Sequence, residues 1–524
     1  MRNISAADST HALPRNPRVK PGEGRVGEGA ALAWLKTPAA AVAALILATF
    51  LARLLFAASL GLGIDESYMV AAGRKLQLSY FDHPPIAWWM AWGAAHLTGS
   101  ESAFFVRLPF IALFALTTFL MYRVTTTLFG PQAGLWAAVV LNLAPDLGIT
   151  AGTWVLPDGP LFAALLGAVA CLIPALRSHG RAAWGWWLAA GVCAGLALCS
   201  KYSAVLTLAG AVLFLATEPT SRRWLSRPHP YAAGMAALVI FLPASIWNAE
   251  HGWVSLLFQG GRATGHFRPF GPILALAGQA AFLLPWIWAP LLWCGLVAAY
   301  RGPPDPARWF LVCLAAPPIV AFTAAALWGN TLFHWSAPGY LMLVPLLGET
   351  IAGRRESSRL VRIWLAGTAA FVILGLGFVA SEVRFDWLSG LAKDLRFSRD
   401  PKLDVVDWTS LRAEFEDRGF LGKTGLVVAA LKWHEAGKID YALGGRIPVI
   451  CLCSDPRQYG IVANPDDYAG ADALIVAPRQ SFAAIENQLG TRFDAIEPTA
   501  PATVMHAGRL AIELPLFIGH RLHR

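Results

Sequence analysis

The chain has 524 residues, of which 56% are hydrophobic and only 14% charged, with 22 Trp, 35 Pro and a mean hydropathy of +0.50. Those proportions exclude an ordinary soluble globular protein, in which about a quarter of residues are charged, and describe a polytopic α-helical membrane protein. A net charge of +9 and a pI near 9.3 would suggest nucleic acid in a soluble chain; here the charge belongs to loops between spans, and no nucleic-acid partner is expected.

Residues 1–36 are basic and rich in Pro and Gly, without the apolar core and cleavage site of a signal peptide, and read as a disordered cytoplasmic tail. Apolar runs long enough to span a bilayer follow at 38–62, 104–122, 132–150, 158–176, 184–200, 202–217, 231–248, 274–299, 309–328, 335–352 and 361–381. The expected total is about 11–13 transmembrane helices, the odd count of eleven placing the two termini on opposite sides. Positive charge tests this: the tail holds Arg2, Arg15, Arg18, Lys20, Arg25 and Lys36, and alternate loops hold Arg177 with Arg181, Arg222 with Arg223 and Arg227, Arg301 with Arg308, and Arg354 with Arg355, Arg359 and Arg362. These loops are assigned to the cytoplasm. The opposite face then collects Asp65, Glu66, Asp82, Asp146, Asp158, Lys201, Glu250, His251, Arg262, Arg268 and His334. Residues 84–97, rich in Trp but too short to span, read as an interfacial or re-entrant helix within a first outer loop of about 63–103.

Past Val383 charged residues become common, and Gly425–Leu431, Ile447–Leu452 and Leu474–Ala477 look like strands around a helix at His434–Tyr441. Residues 383–524 are therefore expected to form an outer α/β domain behind the membrane region of 37–382. Gly422-Lys423-Thr424 is not a phosphate loop, because Asp417 stands where the upstream glycine is required. Five cysteines lie in apolar segments, where a thiol acts as a small hydrophobe. Cys451 and Cys453 are separated by one residue, and no structural disulfide is expected.

Chemistry concentrates on the outer face. Asp65 and Glu66 sit where the chain leaves its first span; one could serve as a general base, or Asp65 could simply cap a helix running to Leu78. In Tyr80-Phe81-Asp82-His83-Pro84-Pro85 the two prolines deny the backbone a helix and hold Asp82 and His83 in an extended turn. Lys201 interrupts a long apolar stretch with no acidic neighbour in sequence, so it needs an anion such as a lipid phosphate or Asp158, unless it only snorkels to headgroups. Arg262 and Arg268 follow on the same face. His251, His266 and His334 share it without any His-x3-His ligand spacing, so a divalent metal is not favoured and no cofactor is assigned.

These motifs, taken in order, resemble a known family. Asp65-Glu66-Ser67-Tyr68, Tyr80 to Ile86, Pro157-Asp158-Gly159-Pro160-Leu161, Ser200-Lys201-Tyr202-Ser203, Glu250-His251-Gly252-Trp253-Val254-Ser255 and His334-Trp335-Ser336-Ala337-Pro338 are similar to the family 39/83-like glycosyltransferases. These are multi-spanning GT-C enzymes that include protein O-mannosyltransferases and the aminoarabinose transferases of lipid A. The resemblance runs from about Pro38 to Ala380. It implies a GT-C membrane domain in a bacterial inner membrane, with the N-terminus cytoplasmic and a C-terminal periplasmic α/β domain.

It also implies roles. Asp65 matches the family's catalytic carboxylate, with Glu66 beside it. The aminoarabinose branch carries a phosphate-binding Lys before its Pro-Pro; His83 stands there instead and can still donate to the donor phosphate, with Lys201, Arg262 and Arg268 as its better ligands. Tyr68, Asp82, Asp158, His251 and His334 are left to meet sugar or acceptor. The implied reaction moves a sugar from a polyprenyl-phosphate donor to lipid A or another envelope lipid or glycan, by single inverting displacement with a carboxylate base. Protein O-glycosylation, or transport of lipid-linked sugars, is the alternative; transport would favour inverted repeats and charges at helix midpoints.

Overall fold

The computed structural model describes residues 37–262, 264–385, 406–478, 480–506 and 509–524. The expected tail, 1–36, and the junction 386–405 lie outside the described residues.

Helix starts are written largely in proline. Pro38, Pro131, Pro228, Pro285 and Pro306 each open a helix, where a missing N–H loses nothing and the fixed φ suits the first turn. The bundle comprises α1 (Pro38–Ser59), α2 (Ile64–Ala72), α3 (Ile86–Thr98), α4 (Ala103–Phe129), α5 (Pro131–Leu143), α6 (Asp158–Arg177), α7 (Gly180–Ser200) and α8 (Ala204–Thr217). It continues with α9 (Pro228–Glu250), α10 (Val254–Gly261), α11 (Gly271–Leu283), α12 (Pro285–Arg301), α13 (Pro306–Ala325), α14 (Ala337–Arg354) and α15 (Arg359–Phe385).

Every expected span falls on a helix, but among the described residues only seven are long and apolar enough to cross a bilayer alone, or eight with one bent pair. The shortfall from about 11–13 has physical causes. α5 and α8 have 13 and 14 residues, about 20 Å of helix against a hydrocarbon core of about 30 Å. The span expected at 274–299 breaks between α11 and α12 with a bend of 114°. Pro285 disfavours helix in the residue before it, and Leu284 leaves the helix at φ 70°. α14 is the buried middle of the bundle: its residues from Ala337 to Gly348 are all buried.

α1 and α15 instead expose Leu55, Ile373 and Leu374, as lipid-facing helices must. An apolar cavity of about 810 Å³ lies between α1, α5 and α15, lined by residues such as Leu45, Phe56, Trp136, Leu365 and Leu376. α7 and α9 pack backbone to backbone at Gly191 and Gly195, where a Cβ would fall 2.3 Å from Ala233 O and 2.6 Å from Ile240 Cβ.

Behind the bundle, α16 (Leu411–Asp417), α17 (Trp433–Leu443) and α18 (Phe482–Leu489) pack on a five-stranded sheet. Its strands are β1 (Leu426–Ala430), β2 (Val449–Cys451), β3 (Asp472–Val476), β4 (Phe493–His506) and β5 (Arg509–Leu522), in the order β2-β1-β3-β5-β4. β1 is parallel to β2 and β3, whereas β5 runs antiparallel to β3 and β4. β1 is buried at all five positions, as suits a central strand covered on both faces. Contrary to expectation, Cys451 and Cys453 are disulfide-bonded: their Cα atoms are 5.5 Å apart, within the range a bridge needs, because the chain turns at the end of β2.

The sheet domain clasps the segment that follows α1, from α2 to the start of α4. Gly437 of α17 lies against Tyr68 of α2, where a Cβ would fall 2.7 Å from Tyr68 Cα. Lys438 Nζ donates to Leu62 O at 2.6 Å and Val406 O at 2.8 Å, and Arg74 joins Asp440 at 2.5 Å and Glu101 at 2.8 Å. In an ordinary helix Gly→Ala gains up to about 1 kcal/mol. Here Gly437→Ala is expected instead to destabilise the purified protein by about 1–3 kcal/mol, read as a lowered thermal unfolding midpoint in detergent, because the new methyl overpacks the α17–α2 contact.

Candidate active site at the outer loop

The two adjacent carboxylates do different work. α2 begins at Ile64, and Glu66, not Asp65, closes its first turn: Gly63 N–H donates to Glu66 Oε2 at 2.9 Å. The helix ends at Ala72, short of the expected Leu78. Glu66 is buried and fully engaged, accepting from Arg107 Nε at 2.8 Å, Arg107 Nη2 at 2.5 Å and Val155 N–H at 3.0 Å. Burial alone would raise its pKa; the Arg107 guanidinium and the amides outweigh that and hold it below the usual range. Asp65, one residue earlier, is exposed. Glu66 is thus committed to the fold, whereas Asp65 stands at the surface.

His83 is the hub of a charged cluster, feeling Lys201, Asp158, Arg262 and Arg457. Pro84 and Pro85 follow it, and Ser255 and Gln259 of α10 pin the turn by donating to Tyr80 O at 2.9 Å and Asp82 O at 2.5 Å. Tyr80 stacks on Trp88 of α3 at 4.2 Å, so the interfacial helix forms the floor of the turn. His83 Nδ1 is buried without a hydrogen-bond partner among the described residues. Burial first, then the charge of Lys201, pushes the imidazole down to about 3. At neutral pH it is therefore an uncharged hydrogen-bonding group.

Lys201, just past α7, meets Asp158 at the start of α6: Nζ donates to its two carboxylate oxygens at 2.8 and 3.0 Å. The anion the sequence demanded for Lys201 is thus present. His334 is half-buried near the pair, its pKa pushed down to about 4 by burial and then by Lys201. Arg262, at the end of α10, lies over Phe258 at 4.7 Å and Trp335 at 5.1 Å, and among the described residues it has no carboxylate within salt-bridge distance.

The other expected site residues are held elsewhere. Tyr68 is buried, its hydroxyl accepting from Gln458 N–H at 3.0 Å. His251 stacks on Trp247 at 4.1 Å with Nδ1 2.8 Å from Trp247 O, closing the end of α9. Arg268 is exposed and hydrogen-bonds Asn330. Asp82 is buried, and Oδ2 pairs with Arg457 Nη1 at 3.2 Å. Burial raises its pKa, only partly offset by Arg457. Among the described residues no group of three or more His, Cys, Asp and Glu could hold a metal ion.

Sequence reasoning missed Arg107 and Arg457. An arginine inside the apolar run 104–122 was a readable signal, since intramembrane charge demands a partner. Nothing in sequence ties Arg457 to a loop 375 residues earlier.

Removing one partner from a buried ion pair costs about 3–5 kcal/mol. Glu66→Gln is accordingly expected to destabilise the protein by about 3 kcal/mol in thermal unfolding, and Asp65→Asn clearly less. A pH series probes His83. Its folded pKa lies near 3 against an ordinary 6.5, so the unfolded chain binds a proton that the folded chain refuses. Stability should therefore fall as pH drops from about 6.5 toward 3, and His83→Gln should flatten that slope.

With this geometry in place, the relatives fall into order. A family model described as dolichyl-phosphate-mannose-protein mannosyltransferase matches residues 82–247. The lipid A galacturonosyltransferase RgtD of Rhizobium johnstonii is 22% identical over 284 residues, 53% of this chain and 58% of that protein. The chain thus spans little more than half the length of that relative. Crystal structures of ArnT from Cupriavidus metallidurans, in the apo state and bound to undecaprenyl phosphate, superpose with TM-scores of 0.57 and 0.56 at 14% identity, over 93% of this chain and 98% of each of theirs. The matched segment makes residues 82–247 similar in sequence to that family, and along nearly its whole length the chain shares its fold with ArnT.

Proposed function

We propose that the protein transfers a sugar from a polyprenyl-phosphate donor to lipid A or another envelope lipid or glycan, at the periplasmic face of a bacterial inner membrane. One observation carries this reading. An exposed carboxylate, Asp65, and a guanidinium with no carboxylate partner among the described residues, Arg262, stand within electrostatic reach of each other beside the buried Lys201–Asp158 pair. Such a site offers a base on one side and a home for an anion on the other.

The donor phosphate is met by Arg262, with Lys201 and a neutral His83 as hydrogen-bond donors. Asp158 holds Lys201 in place while the site is empty. Asp65 takes the proton from an acceptor hydroxyl as its oxygen attacks the anomeric carbon. The bond from that carbon to the phosphate oxygen breaks, and polyprenyl phosphate leaves with the electron pair. Cationic groups stabilise the charge on the leaving phosphate, so no protein acid is needed. Attack from the face opposite the leaving group inverts the anomeric carbon. Were the acceptor a phosphate, already ionised, Asp65 would position the sugar rather than remove a proton. Support for a lipid acceptor comes from the relative named for lipid A; the family model's description favours a protein acceptor as the second reading.

Mass spectrometry of lipid A and of envelope glycoproteins, from cells with and without the chain, separates the acceptors. In purified protein, Asp65→Asn is expected to lower turnover of a polyprenyl-phosphate sugar by about 100-fold or more while donor binding persists. Turnover equal to wild type would sink the proposed mechanism.

A further inference from the structure

Arg457 belongs to the C-terminal domain, in the loop leading to the single helical turn Tyr459–Val462. It is held in the left-handed backbone region at φ 49°, a conformation that disfavours side chains with a Cβ by about 1–2 kcal/mol. From there its side chain reaches Asp82 of the turn and Phe258 of α10. Its guanidinium lies 3.7 Å over Trp433 and 5.3 Å from the Phe258 ring. Nη1 donates to Asp82 Oδ2 at 3.2 Å, and Nε reaches Asp455 Oδ2 at 3.5 Å. Nη2 makes no hydrogen bond among the described residues. The neighbouring Gln458 locks this placement by accepting from Phe81 N–H at 2.9 Å.

Phe258 therefore carries two guanidiniums, Arg457 and Arg262. They repel: burial, and then the charge of Arg457, lowers the pKa of Arg262. Asp82 answers only part of this charge: its Oδ2 pairs with Arg457, while its Oδ1 is buried without a hydrogen-bond partner among the described residues. Two forked donors around one aromatic ring suit a group with several anionic oxygens, which can accept from each.

We propose that Arg262 and Arg457 form a clamp for an oxyanion of the glycosyl donor, so that the C-terminal domain supplies a ligand of the transfer site. The proposal rests on the transfer reading given above. The oxyanion is either the donor phosphate or a carboxylate on the sugar.

The test uses purified full-length protein and titrates undecaprenyl phosphate, its uncharged alcohol, and undecaprenyl-phosphate donors bearing a neutral hexose or a hexuronic acid. Arg457→Ala is expected to weaken binding of undecaprenyl phosphate by at least about tenfold without changing binding of the alcohol, with Arg457→Lys intermediate. Asp82→Asn, which frees Arg457 from its carboxylate, is expected to tighten binding. A mere staple between domains would not tighten on losing its acid. Weakening confined to the hexuronic donor assigns the clamp to a sugar carboxylate. Arg457→Ala protein that binds every compound as wild type does, in a sample with a normal unfolding midpoint, overturns the clamp alone. Wild-type protein that binds no polyprenyl phosphate overturns the clamp and the transfer reading together.

Discussion

Glu66 sits where four donated hydrogen bonds converge, from two arginine nitrogens and two backbone amides. Arg107, which supplies two of them, also donates to Leu60 O and Gly61 O at 2.7 and 2.8 Å. This one buried pair therefore joins the end of α1, the start of α2, the first turn of α4 and the segment before α6. A charge this deeply desolvated is tolerable only when every lone pair is met. The requirement leaves little freedom in how the four segments meet, and Asp65, next along the same helical turn, inherits that rigidity while remaining open to solvent.

From this corner the site spreads by contacts between elements far apart in sequence. The turn Tyr80–Pro85 is gripped by α3 and α10 on one side and by the sheet domain on the other. Asp440 takes Arg74, and its other oxygen accepts from Tyr459 OH at 3.0 Å; Tyr441 reaches Glu101 O at 2.9 Å. Such a loop, enclosed by two independently built surfaces, holds its groups more firmly than one fixed at its ends alone. Two pairs of charges meet there, Lys201 with Asp158 and Arg457 with Asp82, and among the described residues Arg262 has no carboxylate within salt-bridge distance.

What the sequence disclosed follows from how local each signal is. Apolar runs mark helices because burial in lipid is a property of the segment itself, so each expected span lies on a helix. Whether such a helix crosses the membrane depends on neighbours: α5 and α8 are too short alone, and one residue before Pro285 folds a single expected span into two. The Tyr80–Pro85 turn and the demand of Lys201 for an anion were legible as chemistry that apolar surroundings must compensate. Composition and spacing did not separate Glu66 from Asp65, which only the family resemblance ranked apart, because their physical difference is the presence of Arg107 and Val155 in three dimensions. Tyr68 and His251 look like ligand groups in sequence, yet each spends its polar atoms on the fold. The long hairpin of β4 and β5 escaped notice because Pro498, Pro501 and Pro515 interrupt the alternation of a strand, and the hairpin absorbs irregularity through a shifted register.

That hairpin bears on the order of events during synthesis. β5, residues 509–522, is an interior strand, hydrogen-bonded to β3 on one side and β4 on the other. β1, β2 and β3 can pair as soon as they emerge, but β3 keeps an open edge until β5 arrives. By then the helices have long been threaded into the bilayer. The sheet domain thus closes only after the helices that precede it in the chain. A ribosome that stalls or a protease that trims before residue 509 leaves a complete set of spans beneath a sheet with a bare edge. Arrival of β5, rather than insertion of the helices before it, sets the moment at which the sheet can close its β3 edge.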